Sequence, residues 1–390
     1  MNKKKNILFV IPSYNTGGTT SSLKSIIHSN LSKEYNLFVF SLSKEEYIDN
    51  SFEPFDIGHN RWTSFLYTDR TTLTVRSRYL TYSIVTLLFR FLSFIKINVK
   101  QIIEKKARRA IVRERVYDYV VSFSESSSPR FVSLFKNKKI VWIHCDYAMM
   151  VQDRESEGRL FNQFDYIVCV SDFTRESFCS IFPDLSDKTI FIYNLIDSNH
   201  VLSLSNEVIN DMQTGNDVYN IVSVGRVCDV KRYSSIPGIL SSVNKVVRDD
   251  IAVKWYVIGP IAERTEYEKL MESIKRYDVS DSVIYLGARK NPYPYIKNAD
   301  LLVSVSLSEA CPMIFNEAKV LNTLIVSSNF GSAKEFITDA KDGYVSDINL
   351  IDETISSIIN KKLHSTSSNQ FDAVGYNSAI EEQLSALFGN

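Results

Sequence analysis

Residues 300–335 read DLLVSVSLSEACPMIFNEAKVLNTLIVSSNFGSAKE. An apolar run, Leu301 to Val305, leads into Ser306-Leu307-Ser308 and the carboxylate of Glu309. A second carboxylate, Glu317, stands eight residues later. A second apolar run, Leu324 to Val326, then ends in Asn329-Phe330-Gly331-Ser332. The order predicts strand, loop, helix, strand and glycine turn. In a parallel α/β sheet the loop after a strand's carboxyl end is where ligands bind. Residues 312–316 would open the helix, whose free N–H groups and positive dipole end suit a phosphate. Two carboxylates beside such a site are poor phosphate ligands but good acceptors for hydroxyl groups, so the stretch points to a sugar. On spacing alone the plainer fit is a buried strand and a helix with two solvated glutamates.

The chain around it has 390 residues, 44% of them apolar, enough for two or three domains. Net charge is zero but unevenly spread. Residues 1–120 carry 19 Lys and Arg against 10 Asp and Glu. A basic amino-terminal part suits a polyanionic or membrane-surface partner. The five cysteines, Cys145, Cys169, Cys179, Cys228 and Cys311, form no CxxC pair and are expected as free thiols in a reducing cytosol. Met1-Asn2-Lys3-Lys4-Lys5 runs straight into an apolar strand, which is not the pattern of a signal peptide.

Asn6–Ile11 is the first expected strand. The loop after it holds Gly17-Gly18, where backbone could approach a ligand closely, and a helix follows from Ser21. The same two glycines also fit a simple tight turn. Further strands are expected at 35–41, 117–123, 139–144, 165–170 and 189–193, with Ser171 and Asp172 capping a helix at 173–182. A second series starts at Tyr219, with strands at 253–259, 282–287, 300–305 and 323–328. Two such series predict two Rossmann-like doubly wound α/β domains facing a cleft. The expected limits are 1–198, a linker at 199–218, a second domain at 219–372, and a helix at 373–390 that packs back on the first domain. Ile380, Leu384, Leu387 and Phe388 share one face of that helix.

Residues 79–116 stand apart. Between Leu80 and Ile95 the one charge is Arg90, and from Lys96 to Arg115 eight positive residues face two negative ones. The apolar part is too short to span a bilayer, which takes about 20 residues. An apolar helix followed by a basic one suits a surface of anionic lipid. It also fits a core helix followed by a solvated one.

Other residues carry chemistry. Val224-Gly225-Arg226 at a strand end, with Lys231 five residues on, suits a diphosphate through one bidentate and one point cation. His144 ends the strand WIH, with Asp146 two residues later, and could orient a hydroxyl. Glu125 is a weaker candidate of the same kind. There is no Asp-x-Asp triplet, no HExxH, no P-loop and no GxSxG. No metal site is expected, and protein cations and helix N-termini would have to neutralise a bound diphosphate.

These residues together resemble GT-B-fold retaining glycosyltransferases of glycosyltransferase family 4, as found in capsule and O-antigen assembly. The resemblance rests on Gly17-Gly18, His144, the VSDFT that starts at Val170, Asn194 with Asp197, Val224-Gly225-Arg226 with Lys231, Leu286-Gly287, Glu309 and Glu317, and Gly331 with Glu335. It implies that Arg226 and Lys231 hold the donor diphosphate, which Gly17 and Gly18 approach. It implies that Glu309 contacts the donor sugar and Glu317 the ribose. Backbone N–H groups around Pro312–Ile314, with Met313 between them, would assist, the base would pack near Leu286 and Arg289, and His144 would face the reacting sugar. The implied reaction moves a hexose or N-acetylhexosamine from an NDP-sugar, foremost a UDP-sugar, to a lipid-linked or cell-surface glycan. It implies no metal, no other cofactor and no nucleic-acid partner, and a place on the cytoplasmic face of the membrane. An NDP-sugar epimerase or phosphorylase, or a non-catalytic glycan-binding homologue, are the alternatives. The chain departs from the family at Ala310, at Cys311-Pro312, and at Leu321-Asn322-Thr323-Leu324, where the family has Cys-Gly-x-Pro.

Overall fold

A computed structural model describes residues 3–14, 17–43, 52–57, 63, 66–67, 99–213, 215, 217–248, 250–361 and 371–389. The chain divides into two compact units. One runs to Val170 and adds Thr174–Tyr193 and the residues from Glu381 onward; the other holds Ser171–Phe173 and Asn194–Ile380.

The first unit is a six-stranded parallel sheet of β1 (Asn6–Ile11), β2 (Asn36–Ser41), β3 (Tyr119–Ser122), β4 (Lys138–Ile143), β5 (Tyr166–Cys169) and β6 (Thr189–Phe191). Its strand order is β2-β1-β3-β4-β5-β6. Strands β3, β4 and β5 are buried over most of their length, as befits a sheet covered on both faces. An aromatic cluster of Tyr147, Phe161, Phe178 and Phe182 fills one side, with ring centroids 5.0 to 5.9 Å apart.

The second unit is built the same way from β7 (Val218–Val224), β8 (Ala252–Ile258), β9 (Val283–Gly287), β10 (Leu301–Ser304), β11 (Leu324–Ser328) and β12 (Gly343–Ser346). Its order is β12-β11-β10-β7-β8-β9, so the chain reverses direction across the sheet between β7 and β10. Its core centres on Trp255, fully buried, whose Nε1 donates to Ser223 Oγ at 3.0 Å while that hydroxyl donates to the Val303 carbonyl at 2.6 Å.

Eleven of these strands lie where the sequence placed them, within a residue or two at each end. Strand β12 was missed; its four residues, GYVS, carry too little pattern to stand out. The stretch 199–218, expected as a linker, contains the helix Ser198–Leu204, whose first turn is capped by Asp197 accepting from the His200 N–H at 3.0 Å. The expected helix at 173–182 is Asp172–Ile181, with Asp172 inside it. Its first N–H groups go to Glu335, which accepts from Asp172 at 2.9 Å and from Phe173 at 2.8 Å.

The helix Ala373–Gly389 changes unit at Ile380. In the first unit Phe388 meets Phe9, Tyr35 and Tyr119 edge-on at 6.4, 5.7 and 5.5 Å. The Lys5 ammonium closes the helix end on the carbonyls of Phe388 and Gly389 at 3.0 and 2.7 Å.

Residues 79–98, the apolar part of the expected membrane-facing segment, lie outside the described residues. The basic part forms the helix Val99–Glu114. Ile103, Ala107 and Ile111 face the core, and Lys105, Lys106, Arg109 and Arg113 are exposed. Among the described residues no helix is long and apolar enough to cross a membrane.

Candidate functional site

Strand order reverses between β7 and β10, and in such sheets the carboxyl ends of the strands at this point are the usual ligand position. Two glycines shape it. Gly225 has φ +155° and Gly259 φ +152°, where side chains are rarely found. A Cβ on Gly259 would lie 1.8 Å from the Gly225 carbonyl oxygen, so the ends of β7 and β8 can touch because Gly259 is a glycine. A Cβ on Gly225 would meet the Lys231 Cε at 3.0 Å: the lysine folds over this turn.

The Lys231 ammonium meets Glu309 Oε1 at 2.5 Å. The two loops are stitched by backbone as well. Leu307 N–H donates to the Val230 carbonyl at 2.8 Å, and Arg232, in a left-handed conformation, donates from Nε to the Val305 carbonyl at 2.9 Å. Two hydroxyls join: Ser306 Oγ donates to Glu309 Oε1 at 2.7 Å, and Ser332 Oγ to the Glu309 carbonyl at 2.6 Å. Arg226 is exposed beside them and makes no side-chain hydrogen bond or ion pair to a described residue.

Glu317 lies one turn into the helix Met313–Val320, which begins after Pro312. Burial pushes its carboxyl up to about 7, against the pull of a hydrogen bond from Tyr293. That hydroxyl donates to Glu317 Oε1 at 3.3 Å, and the Tyr293 ring stands edge-on to His200 at 6.4 Å. Met313 and Ile314 are half-buried at the helix start. Cys311, just before it, is pushed up to about 12 by burial and stays a thiol.

The departures from the family pattern are local. Ala310 is buried and does not have positive φ, so its Cβ is accommodated. Asn322 takes φ +59° where the family has glycine. Its N–H bonds the Lys319 carbonyl at 3.1 Å and that of Thr323 the Ala318 carbonyl at 2.9 Å, which makes a Schellman turn. Asparagine is the side chain that best tolerates this conformation.

Leu286 is half-buried at the end of β9. Arg289 is engaged nearby: Nη2 donates to Asp211 Oδ2 at 2.6 Å and Nε to the Tyr295 hydroxyl at 3.1 Å, while that hydroxyl donates to Asp211 Oδ1 at 2.8 Å.

In the first unit His144 follows β4, its ring 4.8 Å from that of Phe123. Its Nε2 is buried without a hydrogen-bond partner among the described residues, and burial lowers its pKa to about 4, so the imidazole is neutral at pH 7. Asp146 is turned elsewhere, to the Ala148 N–H at 3.3 Å and the Ser177 hydroxyl at 2.5 Å. Glu125 instead holds the strand end, accepting from the His144 N–H at 2.9 Å. Gly17 and Gly18 are exposed at the start of the helix Gly18–His28, and a Cβ on either would meet nothing within 4 Å. Sequence reasoning did not single out Tyr293, Ser306 or Asp211, and gave Ser332 no role of its own. Among the described residues no group of three or more His, Cys, Asp or Glu could hold a metal ion.

Residues 207–377 match the family described as glycosyl transferases group 1. An uncharacterised glycosyltransferase of Methanocaldococcus jannaschii is 25% identical over 167 residues, which span 42% of this chain and 40% of that protein. Among solved structures, HepE of Anabaena in complex with UDP and glucose superposes with a TM-score of 0.68 at 16% identity, covering 98% of this chain and all of that one. Sucrose-phosphate synthase of Thermosynechococcus elongatus superposes with a TM-score of 0.71 at 14% identity, covering 99% and 98%. Residues 207–377 are thus a glycosyl transferases group 1 domain, carried on a chain that has the GT-B fold of two Rossmann-like domains over nearly its whole length.

Proposed function

We propose that this protein is a retaining glycosyltransferase that moves a hexose or N-acetylhexosamine from a UDP-sugar to a lipid-linked or cell-surface glycan. The observation that carries the reading is the meeting of Lys231 and Glu309 where strand order reverses, with Glu317 eight residues beyond. A cation there suits the diphosphate, Glu309 the sugar hydroxyls and Glu317 the ribose. The exposed guanidinium of Arg226 adds a second charge, and the start of the Met313 helix a third partial one. The charge of the leaving diphosphate is thus assigned to protein groups, with no metal in the scheme.

In the reaction the bond from the anomeric carbon to the phosphate oxygen breaks. The bond to the acceptor oxygen forms on the same face of the sugar, and the acceptor's proton passes to the leaving phosphate. In the first unit, neutral His144 is the candidate to orient a hydroxyl. HepE, which shares the fold, was solved with UDP and glucose, which supports a UDP-sugar donor. The exposed cations of the Val99 helix favour an acceptor held at an anionic membrane surface, on its cytoplasmic face. The ordinary backbone at Ala310 and the well-formed turn at Asn322 favour a working donor loop over a non-catalytic homologue.

The test is a thermal-shift series with UDP, GDP and ADP, followed by a UDP-sugar panel with linkage analysis of the product. UDP should raise the melting temperature most. The double variant Arg226→Ala, Lys231→Ala should fold and lose transfer. Full activity in that variant would sink the assignment, and turnover of donor without acceptor would favour an epimerase.

A further inference from the structure

We infer that Ser306 and Ser332 are positioning residues for Glu309: Ser306 holds its carboxylate so that one oxygen is spent on the protein and the other is presented to the donor sugar, and Ser332 holds its main-chain carbonyl. The inference rests on the donor reading above and goes beyond it in naming what aims the sugar-binding group.

Three observations carry it. First, the Lys231 ammonium and the Ser306 hydroxyl both end on Oε1 of Glu309, and among the described residues no hydrogen bond reaches Oε2. A carboxylate held by two donors on one oxygen cannot roll about its last torsion without breaking both. Second, the hydroxyls are locked in. Ser306 is 2% exposed and Ser332 0%, whereas the side chain of Glu309 is 18% exposed. Third, the direction of the bonds is forced. An ionised carboxylate accepts and does not donate, so Ser306 donates to it, and Ser304 in turn donates to Ser306 Oγ at 3.2 Å.

The backbone of the loop is tied in the same manner from β11 and the turn beyond it. Ser328 Oγ donates to the Ser306 carbonyl at 2.6 Å, and Ser332 Oγ to that of Glu309. Hydroxyls from two neighbouring elements thus fix the position of one glutamate from either side. Preorganisation of this kind removes ordering cost from the binding step.

The experiment separates aim from general stability. Calorimetry measures the affinities of UDP, UDP-glucose, UDP-galactose and UDP-N-acetylglucosamine for the wild-type protein, for Ser306→Ala and for Ser332→Ala, with melting temperatures followed alongside. UDP makes no sugar contact. Its affinity should therefore stay within about two-fold in both variants, while the advantage of the best sugar nucleotide over UDP falls by about ten-fold in Ser306→Ala, the scale of one charge-assisted hydrogen bond, and by about five-fold in Ser332→Ala, which loses a neutral one. Adding Ser306→Ala to Glu309→Ala should change that advantage no further. Parallel loss of UDP and sugar-nucleotide affinity would show a merely structural role and overturn the inference. So would a wild-type protein that binds UDP but gains nothing from any of the three sugars. Failure of the wild type to bind any of the four probes overturns the donor reading itself.

Discussion

Tyr293 donates its hydroxyl to Oε1 of Glu317, and this bond opposes the burial that pushes the carboxyl up to about 7. In the unfolded chain the same group titrates near 4.5. Between those values the folded protein binds more protons than the unfolded one, so the contribution of Glu317 to stability falls as pH rises through that window. Glu317→Gln keeps an acceptor for Tyr293 and removes the charge. It should be more stable than wild type at pH 8, by at most about 3 kcal/mol, and no more stable at pH 4. Urea denaturation at the two pH values measures it; a difference that does not change with pH would contradict the assignment.

Gly259 has no room for a side chain. Alanine there would place Cβ 1.8 Å from the Gly225 carbonyl oxygen, which is backbone and cannot swing away. Gly259→Ala should cost more than about 3 kcal/mol or abolish soluble expression. Gly17→Ala meets nothing within 4 Å and should leave stability within about 0.5 kcal/mol.

Asn322 closes the Met313 helix at φ +59°. Asn322→Gly should be neutral or stabilising by a few tenths of a kcal/mol, and Asn322→Val should cost about 1–2 kcal/mol, because a β-branched residue resists that conformation. Equilibrium unfolding of both variants checks the order. Equal stabilities would mean that the turn relaxes.

The exposed cations Lys105, Lys106 and Arg109 are predicted to bring the protein to anionic lipid. Changing all three to Gln should lower partitioning onto phosphatidylserine vesicles by about 100-fold, at about 1 kcal/mol per charge, and leave binding to neutral phosphatidylcholine unchanged. Co-sedimentation at two salt concentrations measures it. Undiminished binding by the triple variant would remove this helix from the membrane-facing role.

The sequence made the framework legible because buried parallel strands are written as short continuous apolar runs, and β12 escaped because four residues make no run. The helix at Ser198 carried a visible signal in Asp197-Ser198, which the polar composition of the surrounding segment outweighed. The pairing of Lys231 with Glu309 joins residues 78 apart and depends on β10 lying beside β7, a matter of strand order that no local pattern encodes. The serines were harder still. Each of Ser306, Ser328 and Ser332 is an unremarked polar residue in the sequence, and its use follows from which carbonyl or carboxylate the fold brings within 3 Å. In the same way Glu335 was legible as a family residue, but not as the acceptor for the first N–H groups of the Asp172 helix.

The helix that ends the described chain has a consequence for biogenesis. Phe388 is 1% exposed and packs on rings from β1 and β3 and on Tyr35 next to β2. Deleting a buried phenylalanine of this kind costs about 3–5 kcal/mol. During synthesis the amino-terminal sheet leaves the ribosome first, yet it lacks this ring until the chain has been made as far as Gly389. The first unit therefore keeps an open seam in its core until these last residues dock. A nascent chain halted near residue 370 would offer that apolar seam to chaperones or to other copies of itself, and its release in full length would close it.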